Sequence, residues 1–168
     1  MRFLAALCLC VALLQGCAQD ARPVKTLQAV DDFSYAADSG IYIDEKLGVL
    51  AINAANPQYR NVFLSAQHKA DWVTTKQTYR AQLDVIAEND GESRYTLSVN
   101  GVPVLRGVAP ETEEVFVPGA VDLGDVTLSP GDMIAIASEA VTNGKIPEGD
   151  GTAFSRGRWS ALHLSPAG

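Results

Sequence analysis

The stretch Tyr79-Arg80-Ala81-Gln82-Leu83-Asp84-Val85-Ile86-Ala87-Glu88-Asn89-Asp90-Gly91-Glu92-Ser93-Arg94-Tyr95-Thr96-Leu97-Ser98-Val99-Asn100-Gly101-Val102 decides the fold class. Tyr79, Ala81, Leu83, Val85 and Ala87 alternate with Arg80, Gln82, Asp84, Ile86 and Glu88, and only Ile86 breaks the polar series. A period of two is the signature of a strand with one buried face. Asn89-Asp90-Gly91 then turns the chain. Tyr95, Leu97 and Val99 alternate with Arg94, Thr96 and Ser98. Asn100-Gly101 between Val99 and Val102 is a hairpin signal, because both central positions of such a turn need positive φ. Strands are expected at about 79–89, 93–99 and 102–106.

The same style extends outward in both directions. Glu114–Val117 is expected to end at Pro118-Gly119, and Asp125–Leu128 at Ser129-Pro130-Gly131-Asp132. Met133–Ser138 is an apolar run short enough for a buried strand, and Arg158–Leu164 closes the series. Upstream, Gly40–Ile43 and Gly48–Ile52 read as strands. Phe63–Ala66 reads as a strand or a helical turn, and Pro57–Arg60 as one turn of helix at most. Many short strands with frequent turns and no βαβ alternation predict an all-β domain, a β-sandwich or jelly roll of short antiparallel strands.

The N-terminus has a different character. Arg2 precedes an apolar run from Phe3 to Leu14, far shorter than the about 20 residues that cross a bilayer. A run of this kind reads as a secretory signal. It ends in Leu14-Gln15-Gly16-Cys17, which resembles the acylation site of bacterial lipoproteins. By that resemblance residues 1–16 are a signal peptide and Cys17 receives lipid. Residues 17–30 are then a polar tether and residues 31–168 the β-sandwich domain. Lipid on Cys17 would hold the domain to a membrane of the cell envelope. Ala18, where an Asp would resemble an inner-membrane retention signal, favours the outer membrane.

Composition narrows the function classes. The three cysteines are Cys8, Cys10 and Cys17, so the predicted domain has no disulfide, thiolate nucleophile or Cys-based metal site. The net charge is −7, which gives no basic footprint for nucleic acid. His68 and His163 sit in no zinc motif. Asp31-Asp32, Asp38 and Asp44-Glu45 are oxygen donors of the kind Ca²⁺ takes, without EF-hand spacing, so a structural Ca²⁺ is a minor reading and solvated surface the main one. No other cofactor is expected.

Two polar segments interrupt the alternation: Glu88–Ser93, and the long run Val141–Trp159. Connections of that length inside a compact domain tend to be functional or disordered. Their residues suit a polyol. Asn89, Asp90 and Glu92 accept from or donate to hydroxyls, Lys145, Arg156 and Arg158 supply donors, and Trp159 offers an apolar plate. The competing reading is a solvated, salt-bridged loop whose glycines only permit turns. In the last strand Leu162 and Leu164 mark the core face. Simple alternation then puts Trp159 on the outer face or rim, a placement that a bulge after Gly157 reverses. Trp72 is a second candidate stacking surface. A glycosidase would need a close carboxylate pair such as Glu92 with Glu148 or Asp150. No nucleophile elbow or metalloprotease motif is present, and no catalytic residue is assigned.

Ala87–Tyr95, Val99-Asn100-Gly101, Asn143–Gly151 and Arg156-Gly157-Arg158-Trp159 together resemble the non-catalytic β-sandwich modules appended to bacterial polysaccharide-degrading enzymes. The resemblance covers most of residues 31–164. It implies binding of a polysaccharide or oligosaccharide without cleavage. An envelope structural or protein-interaction role is the alternative, and a small hydrolase or lyase a third.

Overall fold

The computed structural model describes residues 25–167; the signal peptide, Cys17 and most of the expected tether lie outside them. The chain runs through β1 (Lys25–Gln28), α1 (Ala29–Asp32), β2 (Ile41–Asp44), β3 (Val49–Ile52), a 3₁₀ turn (Pro57–Tyr59) and β4 (Phe63–Lys69). It continues through β5 (Gln77–Ala87), β6 (Arg94–Val99), β7 (Val102–Val108), β8 (Val117–Leu128) and β9 (Met133–Glu139). A two-residue hairpin of β10 (Pro147–Glu148) and β11 (Gly151–Thr152) precedes β12 (Trp159–Pro166). One sheet has the order β2-β3-β12-β5-β8, with β1 also on β12, and the other the order β4-β9-β6-β7. Every ladder in both sheets is antiparallel. The expected all-β sandwich is the fold observed.

The alternation read in residues 79–87 places the core. Tyr79, Ala81, Leu83, Val85 and Ala87 are all buried. The first four pack, with Leu162, Leu164 and Val121 of the same sheet, against Tyr95, Leu97, Ile134 and Ile136 of the other. Each buried Leu, Ile or Val side chain among them contributes about 1.5–3 kcal/mol by leaving water. The Asn100-Gly101 turn has φ +52 and +79, the positive pair that the sequence demanded.

Four expectations change. The domain begins earlier than residue 31: Lys25–Gln28, placed in the tether, pair with Leu164–Ala161, and Leu27 is fully buried. Glu114–Val117 is not a strand; Glu113–Phe116 are bends, and β8 starts at Val117 and runs on through Pro118-Gly119. β8 lies at the sheet's edge, where a residue without an N–H is tolerated. Phe63–Ala66 resolves as strand and extends to Lys69.

The fourth change concerns Trp159. The β12–β5 register shifts between Trp159 and Ala161, so Trp159 faces Val85 and Ala161 faces Asp84. The extra residue, Ser160, lets Trp159, Leu162 and Leu164 all point inward. Trp159 is only 2% exposed and packs edge-on against Phe33 at 4.9 Å. The outer-face placement is therefore corrected to the bulged one, and Trp159 is core.

Candidate functional site

The two polar segments meet at one pole of the sandwich, where β5 ends and β12 begins. The Asn143 amide N–H donates to the Asp90 carbonyl at 2.8 Å, and Asn143 Nδ2 donates to the Asn89 carbonyl at 2.9 Å. Ser93 and Ser155, both buried, join their hydroxyls at 2.7 Å, and the Gly157 N–H donates to Ser93 Oγ at 3.0 Å. These bonds fix the long segment onto the β5–β6 turn. Part of its polar inventory is thus internal glue.

Beneath it lies a buried charge network that sequence reading did not find. Arg158 is 4% exposed. Its guanidinium donates to Glu88 Oε1 and, from Nε and Nη2, to Asp44 Oδ2 at 3.2 Å each. Glu88 is buried as well, and its other oxygen accepts the Arg156 N–H at 2.7 Å. Tyr95, in the core, donates its hydroxyl to the Arg158 carbonyl at 2.9 Å. The partners come from β2, the end of β5 and the start of β12, so the network ties three strands together. Paired buried charges of this kind fix geometry more than they add net stability.

Above the network opens a cavity of about 760 Å³. Arg156, Tyr42, Asp90 and Glu88 give it polar walls, and Phe116, Val115, Leu47 and Ile43 an apolar rim. Arg156 Nη1 donates to the Tyr42 hydroxyl at 3.1 Å. Asp90 Oδ1 is buried without a hydrogen-bond partner. Burial first, and the neighbouring Glu88 carboxylate second, push the Asp90 carboxyl up to about 6. Phe116 lies with its ring 4.9 Å from the Arg158 guanidinium, yet is 46% exposed. Its φ of +62 is a conformation that a bulky residue rarely adopts. Strain of that kind clusters at binding sites. The arrangement therefore offers an aromatic surface backed by a cation, beside an acceptor with no internal partner. That is the chemistry of a site for a polar ring with hydroxyl donors.

Of the ligand contacts expected from sequence, Asp90, Arg156 and Arg158 line this cavity, as do the calcium candidates Asp44 and Glu45. Asn89 and Lys145 line a smaller neighbour of about 210 Å³, where Lys145 Nζ lies 3.8 Å from Glu111. Glu92 is half-buried beside the turn and lines neither of these two cavities. Trp72 packs edge-on against Tyr79 at 5.5 Å, near the start of β5. Nine residues of extended strand, about 30 Å, separate Tyr79 from Glu88, so Trp72 belongs to the opposite pole. The calcium candidates do not converge. Asp44 is taken by Arg158, Asp32 accepts the Gln28 N–H at 2.6 Å, and no metal-ready set of three is found among the described residues. His163 bridges Thr26 and Asp84, and His68 bonds the Asp32 carbonyl. Glu148 and Asp150 stand exposed on or beside the β10–β11 hairpin.

Tyr42 and Phe116 were missed, and Glu88 and Asp44 were named only as the start of a polar segment and as a calcium candidate, not as partners of Arg158. Glu88 looks like one more outward polar residue in the alternation, and only its 70-residue separation from Arg158, closed by the fold, makes it a buried partner. Phe116 carries no sequence signal at all.

No family model matches the chain, and no curated protein matches it. Solved structures with the same fold do. The CBM36-1 domain of a multidomain xylanase from the hindgut metagenome of Trinervitermes trinervoides is similar with a TM-score of 0.56 at 14% identity, covering 86% of this chain and 98% of that one. CsCBM6-3 from Clostridium stercorarium, solved in complex with cellobiose, gives 0.54 at 10% identity over 85% and 94%. A family 35 carbohydrate-binding module from Clostridium thermocellum gives 0.53 at 16% identity over 84% and 98%. At these identities the likeness is one of fold. The chain has the β-sandwich, jelly-roll architecture of carbohydrate-binding modules.

Proposed function

We propose that the protein binds carbohydrate without cleaving it and that the cleft between Phe116, Asp90, Arg156 and Tyr42 is the binding site. One observation carries the reading: a pole cavity that combines a half-exposed aromatic ring on a guanidinium with a buried, unpartnered carboxylate oxygen. A sugar presents an apolar ring face and hydroxyl donors together, and the cleft offers a counterpart to each. Arg158, Glu88 and Asp44 position the site rather than touch the ligand, because their polar groups are already engaged. Within this reading, Cys17 carries lipid and anchors the domain at the outer membrane of the cell envelope. The strand geometry supports that arrangement. β1 enters at Lys25, opposite Leu164, whereas the cleft sits beside Arg158 at the other end of β12. Six residues of strand, about 20 Å, separate them. Lys25 therefore lies at the end of the sandwich away from the cleft, which is compatible with a lipid upstream at Cys17 and an open cleft.

Affinity electrophoresis of the detergent-solubilised full chain on a panel of polysaccharides tests the proposal. Retention on at least one, lost on Phe116→Ala or Arg156→Ala, is the expected result.

The apolar rim favours one second reading. Ile43, Leu47, Val115 and Phe116 are all exposed around one opening, an arrangement that also suits a protein partner. Capture of a stoichiometric envelope protein, lost on Val115→Asp, with no polysaccharide retention, would decide for it.

A further inference from the structure

The pole cleft carries more apolar surface than one sugar ring uses. Ile43, Leu47, Val115 and Phe116 are all exposed around its opening. Phe116 alone is a plate of ring size. The three aliphatic side chains then have no counterpart on a plain hexose, whose ring edge bears only hydroxyls. Apolar groups gathered around one opening mark a surface that a ligand covers.

The polar walls lack partners in a complementary way. Asp90 Oδ1 accepts no hydrogen bond among the described residues. The Arg156 guanidinium gives Nη1 to Tyr42, and its Nε and Nη2 make no bond among the described residues. Asp90 and Arg156 line the same cavity, yet no ion pair joins them. A buried acceptor left unmet costs free energy that a ligand donor recovers. The cleft thus presents one acceptor to be met and one guanidinium with donors to spare. Its charges nearly balance, four carboxylates against three cations. A full ionic group on the ligand would therefore meet repulsion as well as attraction. The match is a neutral group with a donor, an acceptor and an apolar end. An acetamido group on a sugar has all three: an N–H, a carbonyl and a methyl.

We infer that the pole cleft selects glycans bearing N-acetylated hexosamine residues. The acetamido N–H donates to Asp90, its carbonyl accepts from Arg156, and its methyl packs on Val115 and Leu47. The inference rests on the carbohydrate reading of the cleft and narrows it to one sugar class. Its test uses the detergent-solubilised full chain and three probes, the β-1,4 tetramers of N-acetylglucosamine, glucose and glucosamine, which differ only at C2. Titration calorimetry is expected to show the acetylated tetramer binding about tenfold or more tighter than either of the others. Asp90→Ala should narrow that preference, and so should Leu47→Ser paired with Val115→Ser. Each should lower binding of the acetylated tetramer more than that of the glucose tetramer. Leu47 and Val115 are exposed, so the paired variant keeps the fold. Equal binding of the acetylated and glucose tetramers, tighter binding of the glucosamine tetramer, or a preference that neither variant narrows would overturn it. An unbound acetylated tetramer would overturn it too, and alone if wild type is still retained on another polysaccharide. No retention on any polysaccharide would overturn the carbohydrate reading with it.

Discussion

At the scale of single residues, Arg158 shows both what the sequence reveals and what it hides. Its position in a polar, glycine-rich segment was legible, and the fold brings it to the proposed site. Its role was not legible, because Glu88 and Asp44 are remote in sequence and only the closed sandwich makes them its partners. Glu88→Ala should leave a buried guanidinium without its main counter-charge and cost about 3–5 kcal/mol in a urea titration. Pairing Glu88→Met with Arg158→Met should recover much of that loss, since an apolar replacement of both partners removes the desolvation penalty. Asp90 gives a pH signature. Its carboxyl is raised from 3.8 to about 6 in the folded protein, so the folded state holds the proton more tightly than the unfolded chain. Its contribution to stability is complete below pH 3.8 and is lost as pH rises through about 6. Asp90→Asn should therefore flatten the melting temperature between pH 4 and 7 and raise it at pH 7, as read by calorimetry. A hydroxyl donor in the cleft would favour the charged form and move the carboxyl back down, so ligand binding should release protons near pH 6.

At the scale of elements, local signals succeeded where they were self-contained. Asn100-Gly101 demands a tight hairpin by its own backbone preference, and the turn is there. The β5 alternation needs only its own side chains to name its buried face. Trp159 defeated the same logic because one inserted residue, Ser160, reverses the facing of everything before it, and no residue type marks that insertion. Pro118-Gly119 failed as a stop signal because an edge strand does not need every N–H. Gly157 lies two residues before β12, at φ +55, and an added Cβ would meet the Ser138 side chain at 3.0 Å. Gly157→Ala should cost about 2 kcal/mol. The same change should displace Arg158 enough to weaken any ligand held at the pole. Equilibrium unfolding followed by binding at a temperature where the variant stays folded separates the two effects.

At the scale of the whole molecule, β1 extends the sandwich beyond the boundary expected from sequence. A polar run containing a proline read as tether, and nothing local distinguishes Lys25–Gln28 from the residues before it. The strand exists because β12 offers it a ladder and the core offers Leu27 a place. A chain starting at Ala29 should lose about 1.5–3 kcal/mol from Leu27 alone, relative to one starting at Lys25. The pairing sets Lys25 against Leu164, at the end of β12 away from the cleft. The single measurement closest to the central claim is retention of the folded full chain on immobilised polysaccharides, with wild type, Phe116→Ala and Arg156→Ala compared side by side. The account predicts that wild type is retarded on at least one polysaccharide and that both variants, folded by circular dichroism, migrate as on a gel without it. Wild type that migrates freely on every polysaccharide, or variants retarded as strongly as wild type, would contradict it.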